Sequence, residues 1–239
     1  MDPRGGIIEE RLRGKRIIAV AGGKGGVGKS MVSTLMALNL SNMGYRVGLL
    51  DLDFSGPSDH VILGLSCDEF PKEEKGIIPP EVYGIKFFSI VYYTQGKPSP
   101  LRGIDVTNTI KEIFAVVLWK NTDVLVIDMP PGMGEAILDS SELLKNMEFL
   151  VVTTPSKVSV ETVKRFVRLL KDFNIPLFGV IENMKITTSC REEFGKDFLG
   201  TIKFDLDLEE AIGNPDKLMR TKFSRELREI LERKFRVSP

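Results

Sequence analysis

One run, Gly23-Lys24-Gly25-Gly26-Val27-Gly28-Lys29-Ser30, constrains this chain more than anything else in it. It fits the pattern G-x-x-x-x-G-K-S, and its flanks fit the same use. Arg16 to Ala21 reads as a buried strand leading in, and Lys29 to Met43 as a helix leading out. Val32, Leu35, Met36, Leu38, Asn39 and Leu40 give that helix a mostly apolar face, and Gly44 ends it. The glycines let backbone N–H groups curl around a phosphate without Cβ clashes. The helix N-terminus adds its partial positive charge. Lys29 is expected to reach the β- and γ-phosphates, and Ser30 Oγ to ligate Mg²⁺.

Beyond this loop, short apolar runs alternate with longer amphipathic segments. Arg46 to Asp51, Ile85 to Val91, Val124 to Asp128, Glu148 to Thr153 and Leu177 to Ile181 read as strands. Their β-branched and leucine runs are continuous, which argues for burial on both faces. Strand–helix repetition with that signature predicts an α/β fold: a three-layer sandwich with a mostly parallel central sheet and helices on both faces. Residues 1–239 read as one domain, with Asp68 to Val82 and Lys97 to Gly103 as excursions from the alternation. A nucleotide site needs carboxylates at the ends of neighbouring strands. Val124-Leu125-Val126-Ile127-Asp128 runs four apolar residues into one acid, placed to hold a water on Mg²⁺. Asp51 and Asp53 sit two apart at another strand end and can point to the same side.

Composition removes other chemistries. Lys plus Arg and Asp plus Glu both number 33, so the formal net charge is zero and nothing drives the whole chain toward nucleic acid or an anionic membrane. A single histidine, His60, excludes multi-histidine metal sites and the common Ser-His-Asp and Cys-His arrangements in practice. Cys67 and Cys190 suggest neither a disulfide framework nor a zinc pattern. No apolar run approaches the roughly 20 residues of a membrane helix, and Met1 to Arg16 has no signal-peptide core, so a cytoplasmic location is the expectation. Gln95 is the only glutamine while Lys, Arg and Glu abound, a thermophile-like composition. The stretch Thr221 to Arg236 places Phe223, Leu227, Ile230, Leu231 and Phe235 at helical spacing; Glu226, Glu229 and Glu232 weaken it as a lipid-binding helix and favour packing on the chain's own core.

Together these motifs resemble the Mrp/MinD-type P-loop ATPases. Lys24 to Ser30 is similar to their deviant Walker A motif, marked by a second lysine near its start. Asp51-Leu52-Asp53-Phe54-Ser55-Gly56-Pro57-Ser58 resembles switch I of the Mrp branch, and Asp128-Met129-Pro130-Pro131-Gly132-Met133-Gly134-Glu135 its Walker B and switch II. Leu101-Arg102-Gly103, Thr153-Thr154-Pro155-Ser156 and Glu182-Asn183-Met184 match further motifs of that branch. The resemblance implies an ATPase using ATP/ADP and Mg²⁺. Gly23 to Met31 and Asn183 would hold the nucleotide, with Asn183 on the adenine edge. Ser30, Asp51 and Asp128 would serve the metal. Lys29 and Asp53 would act on the phosphoryl group and the attacking water, and Lys24 on the phosphates of a partner subunit in an ATP-favoured homodimer. The lack of an N-K-x-D motif points away from GTP. Met31 stands where the family commonly has a hydroxyl, and Met133 where it has threonine.

Iron–sulfur carriers of the branch place a C-x-x-C pair after Glu-Asn-Met; here Cys190 stands alone, with Thr187 and Glu193 three positions away. Two chains would offer two such thiolates, not the four of a typical cluster site. The missing pair resembles the ATPase-type counterpart of HypB. Nickel insertion into nickel–iron hydrogenase, with the small nickel metallochaperone HypA and the hydrogenase large subunit as partners, is therefore the first expectation. An iron–sulfur cluster carrier of the Mrp type is the alternative, and a MinD/ParA-like positioning ATPase the second. Neither nucleic acid nor membrane is expected as a partner.

Overall fold

The computed structural model describes residues 4–94, 104–132, 141, 143–144 and 146–235. Its centre is an eight-stranded sheet in the order β10-β9-β8-β1-β7-β2-β6-β5. The strands are β1 (Arg16–Gly22), β2 (Val47–Asp51), β5 (Glu81–Val82), β6 (Ile85–Ser89), β7 (Val124–Asp128), β8 (Met147–Thr153), β9 (Leu177–Lys185) and β10 (Phe198–Lys203). All pairings are parallel except β5 with β6. Every residue of β2 and β7 is buried, although successive side chains point to opposite faces, so helices cover the sheet on both sides. The expected α/β architecture is the one observed.

Helix α2 (Lys29–Asn42) follows the glycine-rich loop and packs against β1, β2 and β7. It is buried nearly all round, from Met31 to Leu40, because the C-terminal helix Lys222–Phe235 covers its outer side. That helix buries Phe223, Leu227, Ile230, Leu231 and Phe235 against the chain itself. Asn39 is the polar stitch between the two: its amide donates to Ser224 Oγ at 3.0 Å.

Several local expectations need correction. The polar N-terminal segment contains α1 (Arg4–Leu12), which buries Ile8 and Leu12 on a sparse apolar face. The excursion after β2 holds an antiparallel pair, β3 (Lys72–Glu73) and β4 (Ile77–Ile78), besides the edge strand β5. β6 ends at Ser89, and the short α4 (Val91–Thr94) takes over. β9 runs four residues beyond the expected Ile181, so Asn183 lies within a strand. β10 had no clear apolar run to announce it: only Ile202 is fully buried.

Candidate functional site

Strand register assembles the site. In the β2–β7 pairing Asp51 stands opposite Asp128, and in the β1–β7 pairing Val20 stands opposite Asp128. Both carboxylates therefore lie at the carboxyl ends of central strands, directly below the loop that leaves β1. Both are fully buried.

Asp128 gathers the start of α2. Its Oδ2 accepts from Lys29 Nζ and from Ser30 Oγ, each at 2.7 Å, and Ser33 Oγ lies 2.6 Å from Oδ1. Lys29, Ser30 and Ser33 reach one acid because Lys29 and Ser33 share a helix face one turn apart. Burial alone would lower the Lys29 pKa; the Asp128 charge and hydrogen bond more than offset it and leave it raised. The expected phosphate lysine, metal serine and strand-end carboxylate thus converge on one point. Ser33 was not anticipated, since a serine inside a buried helix carries no sequence signal.

Further acidity surrounds this pair. Burial, reinforced by the Asp128 charge, pushes Asp51 up to about 7. Its Oδ1 accepts from Asp53 N at 2.9 Å and its Oδ2 from Ser89 Oγ at 3.2 Å. Asp59, at the start of α3 (Asp59–Leu63), is fully buried and also missing from the sequence reading. Asp51, Asp59 and Asp128 each offer a carboxylate oxygen within 4.8 Å of the others. Oxygen donors beside the Ser30 hydroxyl suit a hard cation such as Mg²⁺. Asp53 divides its carboxylate: Oδ1 accepts from Ser55 N and Gly56 N and from Ser55 Oγ, closing its own turn, while Oδ2 faces Lys29 Nζ at 3.9 Å.

Around the loop, Lys24, Gly25 and Gly26 are exposed, while Val27 is buried beneath. Gly28 adopts φ 83, and a Cβ there would stand 2.3 Å from Asn183 Nδ2, so only glycine fits. Asn183 Nδ2 donates to the Val27 carbonyl at 2.8 Å, and its Oδ1 accepts from Met184 N at 2.8 Å. The residue anticipated on an adenine edge thus fastens β9 to the phosphate loop. Met31 is buried in α2. Arg102, Gly103, Met133, Gly134 and Glu135 lie outside the described residues.

Hydrogen bonds tie the segment after β9 to Glu182. Glu182 is fully buried and accepts from Cys190 N at 2.6 Å, and from Ser189 Oγ and Thr201 Oγ1 at 2.9 Å each. Burial and the Glu182 carboxylate push the Cys190 thiol up to about 12. Cys67 is buried as well, and burial raises its pKa. His60 is half-buried with its pKa lowered by burial.

Comparison with known proteins places these features. The ParA-type family model described as NUBPL iron-transfer P-loop NTPase matches residues 13–199. A protein of Methanocaldococcus jannaschii named iron-sulfur cluster carrier protein is 35% identical, with 95% of this chain and 86% of that protein covered. One of the same name from Aquifex aeolicus is 41% identical over 71% of this chain, but only 48% of its own length is matched. The chain thus spans about half the length of that bacterial relative. Among solved structures, a nucleotide-binding protein of Archaeoglobus fulgidus in complex with ADP superposes with a TM-score of 0.73 at 29% identity, covering 90% of this chain and 92% of that one. The septum site-determining protein MinD of Pyrococcus horikoshii, complexed with Mg-ADP, superposes with a TM-score of 0.67 at 19% identity over 92% and 95%; at that distance it shows the fold alone.

These findings overturn the first functional expectation. The relatives carry the name iron-sulfur cluster carrier protein, and nothing among them points to nickel insertion, to a nickel metallochaperone or to a hydrogenase large subunit. The missing C-x-x-C pair misled because one absent motif outweighed a likeness to the carriers that spans 71% to 95% of the chain. The loop, both strand-end acids and Asn183 all fall within the matched span, and the chain belongs to the NUBPL iron-transfer P-loop NTPase family.

Proposed function

We propose that this protein is a Mg-ATP-dependent ATPase of iron–sulfur cluster handling, in which the nucleotide state switches a homodimer. The observation that carries the reading is the convergence of Lys29, Ser30 and Ser33 on buried Asp128 beneath the loop. Names of the relatives supply the cargo class.

Each residue takes a definite part. On nucleotide binding Lys29 leaves Asp128 for the β- and γ-phosphates, exchanging one anionic partner for another. Backbone N–H groups of Gly25 to Ser30 cradle the phosphates. Ser30 and Asp128 would hold Mg²⁺, with Asp51 supporting from the neighbouring strand; the ion would supply neutralisation of charge developing on the phosphoryl oxygens. The Asp53 oxygen that faces Lys29 orients the attacking water. Lys24, exposed on the loop, reaches the phosphates of the second subunit. Asn183 keeps the loop fixed to β9 and offers its remaining amide hydrogen toward the base.

The cluster is cargo. Two buried cysteines per chain form no exposed thiolate set, so its ligands come mainly from the partner protein that gives or receives it. Anaerobic transfer to an apo-ferredoxin tests this. ATP with this protein is expected to speed transfer at least several-fold, and Asp53→Ala to slow repeated turnover. No effect of the protein on transfer, with or without ATP, would refute the reading.

A further inference from the structure

Two of the three acids in the buried cluster already have parts in the nucleotide site; Asp59 has none. It sits at the first position of α3, eight residues past Asp51, with no exposed surface. Its Oδ1 accepts from Thr34 Oγ1 at 2.8 Å, which orients the carboxylate from α2. Its Oδ2 is sealed from solvent and has no hydrogen-bond partner among the described residues. A buried carboxylate oxygen left unpaired costs free energy unless something compensates it. The next residue, His60, is not part of the cluster, and Asp51, Asp59 and Asp128 are all oxygen donors.

Charge gives the second argument. The three carboxylates share one ammonium, Lys29 Nζ, which is already bound to Asp128 and also lies 3.9 Å from Asp53 Oδ2. Burial and mutual repulsion favour protons on Asp51 and Asp59 while no cation is bound. One divalent cation would take the place of those protons.

We infer that Asp51, Asp59 and Asp128 form a divalent-cation site that loads without nucleotide, with Asp59 as its third carboxylate. Its occupant is a hard cation, Mg²⁺ or Mn²⁺, because the donors are oxygens alone. The inference goes beyond the nucleotide reading: there the cation arrives with the phosphates, whereas here the protein holds it beforehand. Loading also competes with the Lys29 ammonium for Asp128, and so readies Lys29 for the phosphates.

Mn²⁺ binding to nucleotide-free protein, followed by electron paramagnetic resonance, tests this. One saturable Mn²⁺ per chain is expected, displaced by excess Mg²⁺. Asp59→Asn should weaken it at least tenfold. Lys29→Met should strengthen it, since the competing ammonium is gone, and this arm stands even if Asp59→Asn fails to fold. No saturable Mn²⁺ in the parental protein, or unchanged affinity in folded Asp59→Asn or in Lys29→Met, overturns the inference. Titrating the parental protein with Mn-ATP separates the two readings. Retained Mn-ATP binding without nucleotide-free Mn²⁺ sinks this inference alone; loss of both sinks the nucleotide reading too.

Discussion

Two buried carboxylates on neighbouring parts of one sheet have opposite kinds of company. Asp128 at the end of β7 is held by a lysine and two serine hydroxyls, with Asp51 and Asp59 crowding it. Among the described residues Glu182 in β9 is held by neutral donors: a peptide N–H, two hydroxyls and the Cys190 thiol. The first is electrostatically crowded: three acids share one ammonium, and burial with mutual repulsion raises Asp51, so a metal ion has something to gain there, and a phosphate can take Lys29 in exchange. The second is saturated, and a saturated buried carboxylate fixes a loop in place.

The largest effect that can test this contrast is Lys29→Ala. It removes the ammonium bound to Asp128 at the acidic end, and Mg-ATP affinity is expected to fall at least about 100-fold by calorimetry. Affinity within threefold of the parent would mean that the phosphates do not rely on this end.

Asp53→Ala should act on rate instead. With one carboxylate oxygen spent on its turn and the other facing Lys29, Asp53 is expected to leave Mg-ATP affinity within about threefold while slowing hydrolysis about 10²-fold, a common loss for one preorganised group. A parental rate in phosphate-release assays would reassign the water-positioning role.

Much of this end was legible in the sequence, for a physical reason. The loop and the Val124–Asp128 run are local patterns whose spacing sets their geometry. Ser33 and Asp59 were not legible: Ser33 meets Asp128 across 95 positions and Thr34 meets Asp59 across 25, contacts that only the packing of α2 against β7 and α3 creates. Glu182 was read only as part of a motif, because its partners Ser189 and Thr201 lie on the connection to β10 and on β10 itself, a strand with little apolar signal. Asn183 was found by its motif, yet its hold on Val27 depends on β9 running past Ile181.

A smaller effect follows from Asp51. Its folded-state pKa, about 7, lies above the ordinary carboxylate value, so the folded protein binds the proton more tightly than the unfolded chain. That contribution to stability is fully present below about pH 4 and is lost as pH rises through 7. In chelator, without nucleotide, the melting temperature should fall between pH 5 and pH 8. Asp51→Asn should reduce the fall by about 5 °C, on the order of 2 kcal/mol for a chain of this size. An identical pH slope in the variant would show that Asp51 is not the group taking up the proton.

The contrast between the two carboxylates is tested most directly by one paired measurement: Mg-ATP affinity and melting temperature for Asp128→Asn beside Glu182→Gln. Asp128→Asn strips Lys29 of its buried counter-ion and turns an amide toward donors, so it should lose at least tenfold in affinity and also melt several degrees lower than the parent. Glu182→Gln turns an amide donor toward groups that already donate, at a cost of about 2 kcal/mol, so it should melt about 5 °C lower with affinity within threefold. The opposite pattern would contradict the account: parental Mg-ATP affinity in Asp128→Asn, or lost affinity at an unchanged melting temperature in Glu182→Gln.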